Sequence, residues 1–460
     1  MNKLDNGLGG NMNQRENALW NERKGTYYIM TFGCQMNVRD SQTAAGILEE
    51  MGYERAGGME TADVILFNTC CIRDMAERKA YGAIGRTKAI KEARPGTIVG
   101  VFGCMTEQEG VAVDLKKRML YVDFAFGTHN LHNLPAYITL AESGRWEEMV
   151  ADDGGAQAEF LLPSAPDKPP LGYINIIHGC NNFCSFCIVP YVRGREISKP
   201  LDLIVQEAER LLEQGYKEIM LLGQNVNSYG TDKGAHGFHT LLRALDKLGV
   251  PRIRFMTSHP KDLTEEMIEA MADCGHVMEQ IHLPVQSGND RILQRMNRKY
   301  TVQTYLEHVE KLRRAMPEVG ITTDIIVGFP GETAAEFEDT LALVEKVKFD
   351  AAFTFNFSPR KGTVAAQWED DVIKEEKTQR IILLIDRIKQ HTMELHRGMV
   401  GQEYEVLIEG PSQRNEEHMT GKTRRGRTIN FNKGRGQVGD IVPVKVIRAY
   451  ANTLFGEEVE

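Results

Sequence analysis

Three cysteines fall within eight residues near the middle of the chain, and their spacing is the strongest chemical signal in the sequence. They are Cys180, Cys184 and Cys187, in the order C-x3-C-x2-C, directly after a predicted strand. Three thiolates on one tight loop can bind three irons of a [4Fe–4S] cluster, which leaves the fourth iron without a protein ligand. A metal with an open position can bind a small molecule, whereas a structural metal site is closed. The spacing therefore favours a catalytic iron–sulfur cluster.

The alternative for these cysteines is a zinc site or three unrelated thiols. A zinc site normally needs a fourth Cys or His at short spacing. His178 is close in sequence, but it lies on the strand that leads into the loop, where we expect it to pack. We therefore prefer the cluster interpretation.

Three further cysteines, Cys34, Cys70 and Cys104, each follow a predicted strand of the amino-terminal segment. They are spaced by about one βαβ repeat. Because the carboxyl ends of parallel strands meet at one edge of a sheet, these thiols should converge. The pattern predicts a second three-thiolate cluster with an open iron. Free cysteines also pack in buried strands, but three at equivalent strand ends are hard to assign to packing alone.

Cys71 complicates the second set because it is adjacent to Cys70. Successive side chains of a strand face opposite ways, so only one of the pair should face the site. This argument does not decide which one. The remaining cysteine, Cys274, is predicted to lie near the end of a helix and to be an inert structural thiol.

Strand and helix patterns alternate through the segments that carry these cysteines. In residues 25–142, strands are predicted at 27–32, 64–67 and 98–102, and helices at 41–51, 75–91 and 107–118. This alternation indicates a small doubly wound α/β domain. The Gly- and Pro-rich residues 143–170 are predicted to form a linker, and residues 1–24 a flexible tail.

Two more domains are predicted after the linker, so the chain as a whole belongs to the α/β class. Residues 171–396 contain six strand–helix units, with strands predicted at 173–177, 218–222, 253–257, 278–283, 322–327 and 352–357. Six units are too few for a closed eight-stranded barrel, so we expect an open (β/α)6 partial barrel. Residues 397–460 have short alternating runs at 404–408, 428–431 and 442–447, which predict a small antiparallel β barrel.

The composition limits the classes of function. The chain has 460 residues, a net charge of −9 and 42% hydrophobic residues, which is typical of a multidomain globular protein. RNA contacts must then come from local basic patches. We find no apolar run long enough to cross a bilayer and no signal peptide, so a cytoplasmic location without membrane contact is expected. Eight cysteines in such a protein favour metal chemistry over disulfides.

Polar residues at predicted strand ends and two basic groups are candidates for binding. Those at strand ends are Gln224, Asn227, Gln286 and Ser287, and the basic ones are Arg193, Arg195, Lys422, Arg424, Arg425 and Arg427. The first set can hydrogen-bond a cofactor or base, although Asn-rich turns are common. The basic set suits RNA phosphates, although a charge run is usually a solvated surface.

The cysteine loop and the strands around it resemble the radical S-adenosylmethionine superfamily. In that superfamily the open iron binds the amino and carboxylate groups of S-adenosylmethionine, and one electron splits the cofactor into a 5′-deoxyadenosyl radical. The resemblance implies that Phe186 packs the adenine of the cofactor. The cofactor then carries the hard chemistry, and the protein orients it.

From about residue 25 to residue 455 the chain is similar to the methylthiotransferases. The matching stretches are 33–37 (GCQMN), 68–70 (NTC), 179–196, 258–260 (SHP), 283–288 (LPVQSG) and 323–333. The resemblance implies two [4Fe–4S] clusters and S-adenosylmethionine as cofactors, and a carboxy-terminal TRAM-type domain that binds RNA. It selects Cys70 over Cys71 as the second ligand of the first-domain cluster. Cys71 is itself a departure, because the most similar branch usually has Ser there.

Residues 222–230 (LGQNVNSYG) are similar to the branch that modifies transfer RNA beside the anticodon. The implied reaction converts N6-(dimethylallyl)adenosine into its 2-methylthio derivative. One S-adenosylmethionine methylates sulfur held at the auxiliary cluster, and a second supplies the radical that removes hydrogen from C2. The implied partners are the anticodon stem-loop and an electron donor such as flavodoxin or ferredoxin. The sulfur donor is not specified, and a monomer is expected.

Two other interpretations stay open on the sequence. A methylthiotransferase acting on a ribosomal protein would use similar chemistry on another substrate. An iron–sulfur protein that binds RNA and regulates without turnover belongs to a different class. The open iron of the cysteine loop argues against the regulator, since a site without turnover has no need of an open position.

Overall fold

A computed structural model gives the structure of the chain for residues 24–72, 74–144, 159–234, 236–413 and 415–459. The chain divides into two units, Met1–Pro166 and Asp167–Glu460. The predicted tail and the Asp152–Gly155 part of the predicted linker lie almost wholly outside the described residues. Within the described ranges, no helix is both long and apolar enough to cross a membrane.

The first unit is built on one parallel five-stranded sheet in the order β2-β1-β3-β4-β5. The strands are β1 Gly25–Thr31, β2 Tyr53–Arg55, β3 Val64–Thr69, β4 Ile98–Gly103 and β5 Phe124–Phe126. The helices are α1 Gln35–Glu50, α2 Asp74–Ala93, α3 Val111–Arg118 and α4 Leu134–Glu142. Every residue of β3 and β4 is buried, as central parallel strands require. The predicted doubly wound α/β fold is confirmed.

The strand order of this sheet creates a site between β1 and β3. The chain leaves β1 towards β2 on one side and then crosses to β3 on the other side. Loops that follow β1 and β3 therefore diverge, and such a switch point is where open α/β sheets bind ligands. Cys34 follows β1 and Cys70 follows β3.

Several elements of the first unit differ from the prediction. The strands β2 and β5 were not predicted, because three residues are too few to show an alternating pattern. Helix α1 begins at Gln35, six residues before its predicted start, with Cys34 in extended conformation at its N-cap. The end of the predicted linker packs against α1: the Ala165 backbone donates to Gln42 O at 2.9 Å.

The second unit begins with a run of parallel strands and helices. Its strands are β6 Leu171–Asn175, β7 Ile177–His178, β8 Ile197–Ser198, β9 Glu218–Leu222, β10 Arg252–Phe255, β11 Gln280–His282, β12 Gly320–Val327 and β13 Ala351–Asn356. Its helices are α5 Val189–Val192, α6 Leu201–Glu213, α7 Phe238–Leu248, α8 Glu265–Asp273, α9 Asp290–Arg295, α10 Val302–Ala315, α11 Ala334–Val347 and α12 Lys374–Gly398. The short strands β7 and β8 pair with each other around the cysteine loop.

Six of these strands form an open partial barrel, as predicted. They make two parallel three-stranded sheets, β6-β9-β10 and β11-β12-β13. An isolated parallel bridge between Ile253 and Val277 links β10 to the segment before β11. One continuous apolar core, which includes Ile174, Leu221 and Ile281, lies under both sheets. The two sheets therefore act as one scaffold with a shared edge of carboxyl strand ends.

The carboxy-terminal strands close into a barrel in the order β14-β15-β16-β18-β17. They are β14 Glu403–Ser412, β15 Asn415–Thr423, β16 Thr428–Asn432, β17 Ile441–Ala449 and β18 Leu454–Glu458. The small barrel is confirmed, but it is not wholly antiparallel, because β16 and β18 pair in parallel. Strand β15 was not predicted, since its sequence NEEHMTGKT has only one large apolar residue.

Candidate cluster and cofactor sites

The cysteine loop of the second unit starts from a strained turn that only glycine tolerates. Gly179 follows β7 with φ +74°, and a Cβ there would lie 2.0 Å from Arg195 O. The next residue, Cys180, donates its backbone N–H to Gly194 O at 3.1 Å. The β7–β8 pair and this turn therefore fix where the loop leaves the sheet.

The three thiols of this loop lie close enough to interact electrostatically. Cys180 and Cys184 are buried and Cys187 is partly buried. Burial, with smaller contributions from the charges of Glu196 and Cys184, raises the pKa of Cys180 to about 11. Burial and the neighbouring Cys184 likewise raise the pKa of Cys187 to about 12. These thiols are therefore protonated near neutral pH and must release protons when they bind iron.

A second segment, Arg295 to Arg298, clamps the cysteine loop. Ser185 donates its backbone N–H to Met296 O at 3.0 Å and its hydroxyl to Arg295 O at 2.8 Å. The Asn297 amide donates to Phe183 O at 2.8 Å, and Arg298 Nη1 donates to Cys184 Sγ at 3.4 Å. Sequence reasoning missed this clamp, because nothing in the MNR sequence itself indicates a contact more than 100 residues away.

The carboxyl ends of the strands carry buried oxygen atoms without partners. Among the described residues, no hydrogen-bond partner exists for Asn175 Oδ1, Gln224 Oε1, Ser258 Oγ or Gln286 Oε1. These atoms lie at or just beyond the ends of β6, β9, β10 and β11. A buried polar atom left unpaired costs about 1–3 kcal/mol, so such a set indicates a missing polar ligand. The donor groups of S-adenosylmethionine fit this set of acceptors.

The five residues predicted to contact the cofactor have different surroundings. Gln224 and Gln286 each have an unpaired buried oxygen, and Gln286 has φ +70°, which turns the chain after β11. Phe186 packs edge-on against Phe329, with ring centroids 6.3 Å apart. By contrast, Asn227 bonds both N–H and O of the His259 backbone at 2.9 Å. Ser287 is fully buried and accepts from the Asn289 N–H at 3.3 Å.

The first unit brings its three predicted ligand positions together. Cys34 is the N-cap of α1, where the helix dipole favours a thiolate. A Cβ on the preceding Gly33 would lie 2.8 Å from Cys70 Cβ, so the loops after β1 and β3 touch. A Cβ on Gly103, just before Cys104, would lie 2.5 Å from Thr69 O. The ends of β1, β3 and β4 thus converge, as we expected from the strand order.

Two asparagines hold these loops in place. The Asn37 amide donates to Asn68 Oδ1 and Thr69 O, each at 3.0 Å. Asn68 Nδ2 returns a bond to Asn37 O at 2.7 Å. Both side chains are fully buried. Sequence reasoning did not assign them a role, although both lie in the GCQMN and NTC stretches that carry the family resemblance.

Cys71 lies nearer to the site than the alternation argument allowed. Strand β3 ends at Thr69, so Cys70 and Cys71 belong to the following loop, where side chains need not alternate. Cys71 is buried, and burial followed by the charges of Cys104 and Cys70 raises the pKa of its thiol. Four thiols therefore surround this site, and the argument from strand geometry does not select between the adjacent pair.

The geometry of both sites differs from that of a single-ion site. Within the described part of the chain, no three Cys, His, Asp or Glu side chains are placed to bind one metal ion together. A [4Fe–4S] cluster has another requirement, because each thiolate binds a different iron of the cube. The donor chemistry of three convergent thiols in each unit fits such a cluster.

The basic residues of the barrel turn face the chain itself and not an open surface. Arg424 pairs with Glu279 at 2.8 Å, Arg425 with Asp350 at 2.7 Å, and Arg427 with Asp350 at 2.9 Å. Glu279 and Asp350 lie at the amino ends of β11 and β13, opposite the edge that carries the cysteine loop. Carboxylates of the partial barrel pair with these guanidinium groups, and the RNA-facing role of Arg424, Arg425 and Arg427 stays a prediction.

The other predicted basic residues are also engaged. Lys422 pairs with Glu409 at 3.1 Å within the barrel. Arg193 is buried. Arg195 is exposed and stacks its guanidinium over the Phe183 ring, 4.3 Å from the ring centroid. Of the six, Arg195 is therefore the one that lies at the surface beside the cysteine loop.

Three family models match the chain in the same order as the domains. The model described as uncharacterized protein family UPF0004 matches residues 26–127, the radical SAM superfamily matches 174–344, and the TRAM domain matches 397–459. The partial barrel with its C-x3-C-x2-C loop thus defines a radical S-adenosylmethionine enzyme.

Curated relatives identify the branch. Proteins named tRNA-2-methylthio-N(6)-dimethylallyladenosine synthase from Clostridium botulinum and Clostridium novyi are each 45% identical, over 95% of this chain and 97% of their own length. The relative of the same name from Alkaliphilus oremlandii is 44% identical over 94% of this chain and 93% of its own. The chain belongs to this family of tRNA-2-methylthio-N(6)-dimethylallyladenosine synthases.

Solved structures share the fold. The radical S-adenosylmethionine methyltransferase TsrM from Kitasatospora setae has a TM-score of 0.54 at 14% identity, over 72% of this chain and 73% of its own. The cobalamin-dependent S-adenosylmethionine radical enzyme OxsB has a TM-score of 0.53 at 12% identity, over 80% of this chain and 56% of its own. At these identities the likeness shows the fold alone.

Proposed function

We infer that this chain is a tRNA methylthiotransferase. It converts N6-(dimethylallyl)adenosine beside the anticodon into 2-methylthio-N6-(dimethylallyl)adenosine. The observation that carries this conclusion is 45% identity over 95% of the chain to synthases of that name. Models of three domains also match the chain, one after another. Two convergent cysteine sites in the two units add independent support.

The reaction explains why the chain needs radical chemistry. The C2–H bond of adenine has no useful acidity, so no positioned base can open it. When bound, S-adenosylmethionine and the [4Fe–4S] cluster together supply a radical that removes this hydrogen. We propose that Cys180, Cys184 and Cys187 hold this cluster and leave one iron open to the cofactor.

The carboxyl strand ends orient the cofactor in this proposal. The unpaired oxygens of Gln224, Ser258 and Gln286 accept hydrogen bonds from its amino and hydroxyl groups. Phe186, held against Phe329, lies on the cysteine loop itself and offers a ring face to the adenine. Asn227 acts indirectly, because it fixes the loop after β10 through the His259 backbone.

We propose that Cys34, Cys70 and Cys104 hold the auxiliary cluster in the domain at residues 25–142. The α1 dipole stabilises the thiolate of Cys34 at its N-cap. Asn37 and Asn68 keep the loops after β1 and β3 at a fixed separation. Cys71 is the alternative second ligand, since it lies within electrostatic range of Cys104.

We propose that the outer face of strands β15, β16 and β18 contacts the anticodon stem-loop. The outward residues of these strands include His418, Asn430 and Phe455, and register places Asn430 beside Phe455. The His418 and Phe455 rings meet edge-to-face at 5.0 Å, and exposed Arg448 is paired in register with Phe455. Aromatic rings with a nearby cation suit unstacked bases and phosphates.

Other partners follow from the chemistry. Cleavage of S-adenosylmethionine needs one electron, so we propose a flavodoxin or ferredoxin as the donor. We expect a monomer that works in the cytoplasm, where it meets transfer RNA.

The test is a defined reaction. Purified chain, reconstituted with iron and sulfide without oxygen, is incubated with S-adenosylmethionine, a reductant and transfer RNA that carries N6-(dimethylallyl)adenosine. Mass analysis of digested nucleosides should show the 2-methylthio product. A matched incubation with unmodified adenosine at the same position serves as the control. Unchanged nucleosides with intact clusters would overturn the assignment.

A further inference from the structure

Arg298 is a buried cation that contacts a proposed cluster ligand. Its side chain is 8% exposed, and it follows helix α9 in the clamp segment. Nη1 donates to Cys184 Sγ at 3.4 Å, Nη2 to Pro284 O at 2.8 Å, and Nε to Tyr300 Oη at 2.9 Å. All three nitrogens of the guanidinium are therefore committed, and its position relative to Cys184 is fixed.

The surroundings of Arg298 contain a sulfur where a carboxylate would be usual. Within the described residues, the hydrogen-bond partners of its guanidinium are Cys184, Pro284 and Tyr300, and none of them is an Asp or Glu. A buried charge is costly unless an opposite charge accompanies it. The Cys184 sulfur, as a thiolate ligand of the proposed cluster, is the negatively charged partner of this cation.

We propose that Arg298 is a positioning residue that tunes the cluster held by Cys180, Cys184 and Cys187. Its N–H···S bond and positive charge stabilise the cluster more as the cluster gains one electron and becomes more negative. The electron comes from the reductant, and no proton or bond rearrangement is involved. Hydrogen bonds to cluster sulfurs are among the factors that set reduction potentials. Arg298 therefore raises the potential of this cluster and eases its one-electron reduction.

This inference rests on the proposed function only in that Cys184 is a cluster ligand. Replacing Cys184 by Ala tests that premise separately, because iron should then be lost from the second-unit site. Replacing Arg298 should leave the iron in place and change its electronic properties. Failure of the premise that Cys184 is a ligand would show in the iron content, and failure of the proposal for Arg298 would show in the midpoint potential. The two outcomes are therefore distinguishable.

The experiment measures the midpoint potential by EPR-monitored redox titration of the full-length chain. A background with Cys34, Cys70 and Cys104 replaced by Ala removes the signal of the auxiliary cluster. In Arg298→Met, we expect the ratio of reduced to oxidised cluster at a fixed applied potential to fall about tenfold, which is ~59 mV for one electron. Arg298→Lys keeps the charge and should recover most of this shift. Tyr300→Phe, which removes one neighbour but not the charge, should stay near the parent value.

Iron analysis and circular dichroism accompany each variant. Full iron with a lowered potential in Arg298→Met, restored in Arg298→Lys, supports the proposal. Iron lost in Arg298→Met but kept in Arg298→Lys would overturn it, because the charge would then hold the cluster in place and not tune its potential. A parent-like potential in an iron-replete Arg298→Met variant would overturn it. Iron lost from both variants in a folded chain would equally overturn it, because the role would then be structural.

Discussion

At the scale of residues, both sites place thiols where burial opposes the thiolate that iron needs. Burial raises the pKa of Cys180 to about 11 and also raises that of Cys71. Iron must displace these protons, so binding is coupled to deprotonation. The cysteines could be predicted from their spacing, because a set of metal ligands forms a recognisable pattern along the sequence. The roles of Arg298, Asn37 and Asn68 could not be predicted, because contacts between residues distant in sequence form no such pattern.

The adjacent cysteines of the first unit give a prediction at this scale. Replacing Cys104 by Ala should remove the auxiliary cluster and about half of the bound iron, since each cluster holds four irons. Replacing Cys70 should have the same effect if it is the second ligand, and replacing Cys71 should not. Iron and sulfide analysis of the anaerobically reconstituted variants checks this. A Cys71→Ser variant that loses half of its iron, beside an intact Cys70→Ala variant, would reverse the assignment.

At the scale of elements, strand ends and tight turns decide where the chemistry sits. The alternation of strands and helices predicted the sheets, and the order of strands predicted that their carboxyl ends would meet. The argument that Cys70 and Cys71 face opposite ways does not apply, because β3 ends at Thr69 and the pair lies in the loop that follows it. Single-sequence patterns do not fix such boundaries, since the last turn of an element is set by tertiary contacts.

The turn before the cysteine loop is the most demanding of these elements. Gly179→Ala should lower the free energy of unfolding by about 1–3 kcal/mol and impair iron binding. The physical reason is a positive φ combined with a Cβ that would overlap Arg195 O. Gly215→Ala is the matched control: its φ is +88°, but a Cβ there meets nothing within 4 Å. Denaturant unfolding compares the two, and equal losses would mean that the clash at Gly179 relaxes.

The outer face of the carboxy-terminal barrel gives a prediction about RNA affinity. Phe455→Ala should weaken binding of an anticodon stem-loop about tenfold, because base stacking contributes ~1–3 kcal/mol per base. Arg424→Ala should change this affinity little, since Arg424 pairs with Glu279. Fluorescence titration at a fixed salt concentration measures both. A large loss in Arg424→Ala with none in Phe455→Ala would favour the RNA role predicted from sequence.

At the scale of the second unit, the barrel turn joins the barrel to the partial barrel. Arg425 and Arg427 share buried Asp350, which also accepts from the Ile321 backbone at 3.0 Å. The run of basic residues could be predicted, but its partners could not, because Asp350 lies about 75 residues away. The sequence alone does not show which carboxylates pair with a run of basic residues, so such a run resembles an RNA-binding surface.

This junction makes a prediction about stability. Asp350→Ala should destabilise the chain by about 3–5 kcal/mol, because it leaves the buried Arg427 guanidinium without its carboxylate and leaves Arg425 with only the exposed Glu318. Arg314→Ala is the control, since the exposed Arg314–Glu310 pair should contribute no more than ~0.5 kcal/mol. Thermal unfolding of both variants measures the difference. A loss in Asp350→Ala as small as that in Arg314→Ala would show that the junction does not hold the barrel.

The central claim is that two separate clusters divide the work of one reaction on transfer RNA. The most direct measurement follows 5′-deoxyadenosine and methylthiolated nucleoside together in the same anaerobic incubation. Cys104→Ala should still form 5′-deoxyadenosine but no methylthiolated adenosine, whereas Cys184→Ala should form neither. If Cys104→Ala made the methylthiolated nucleoside at the parent rate, the division of labour between the two sites would be contradicted.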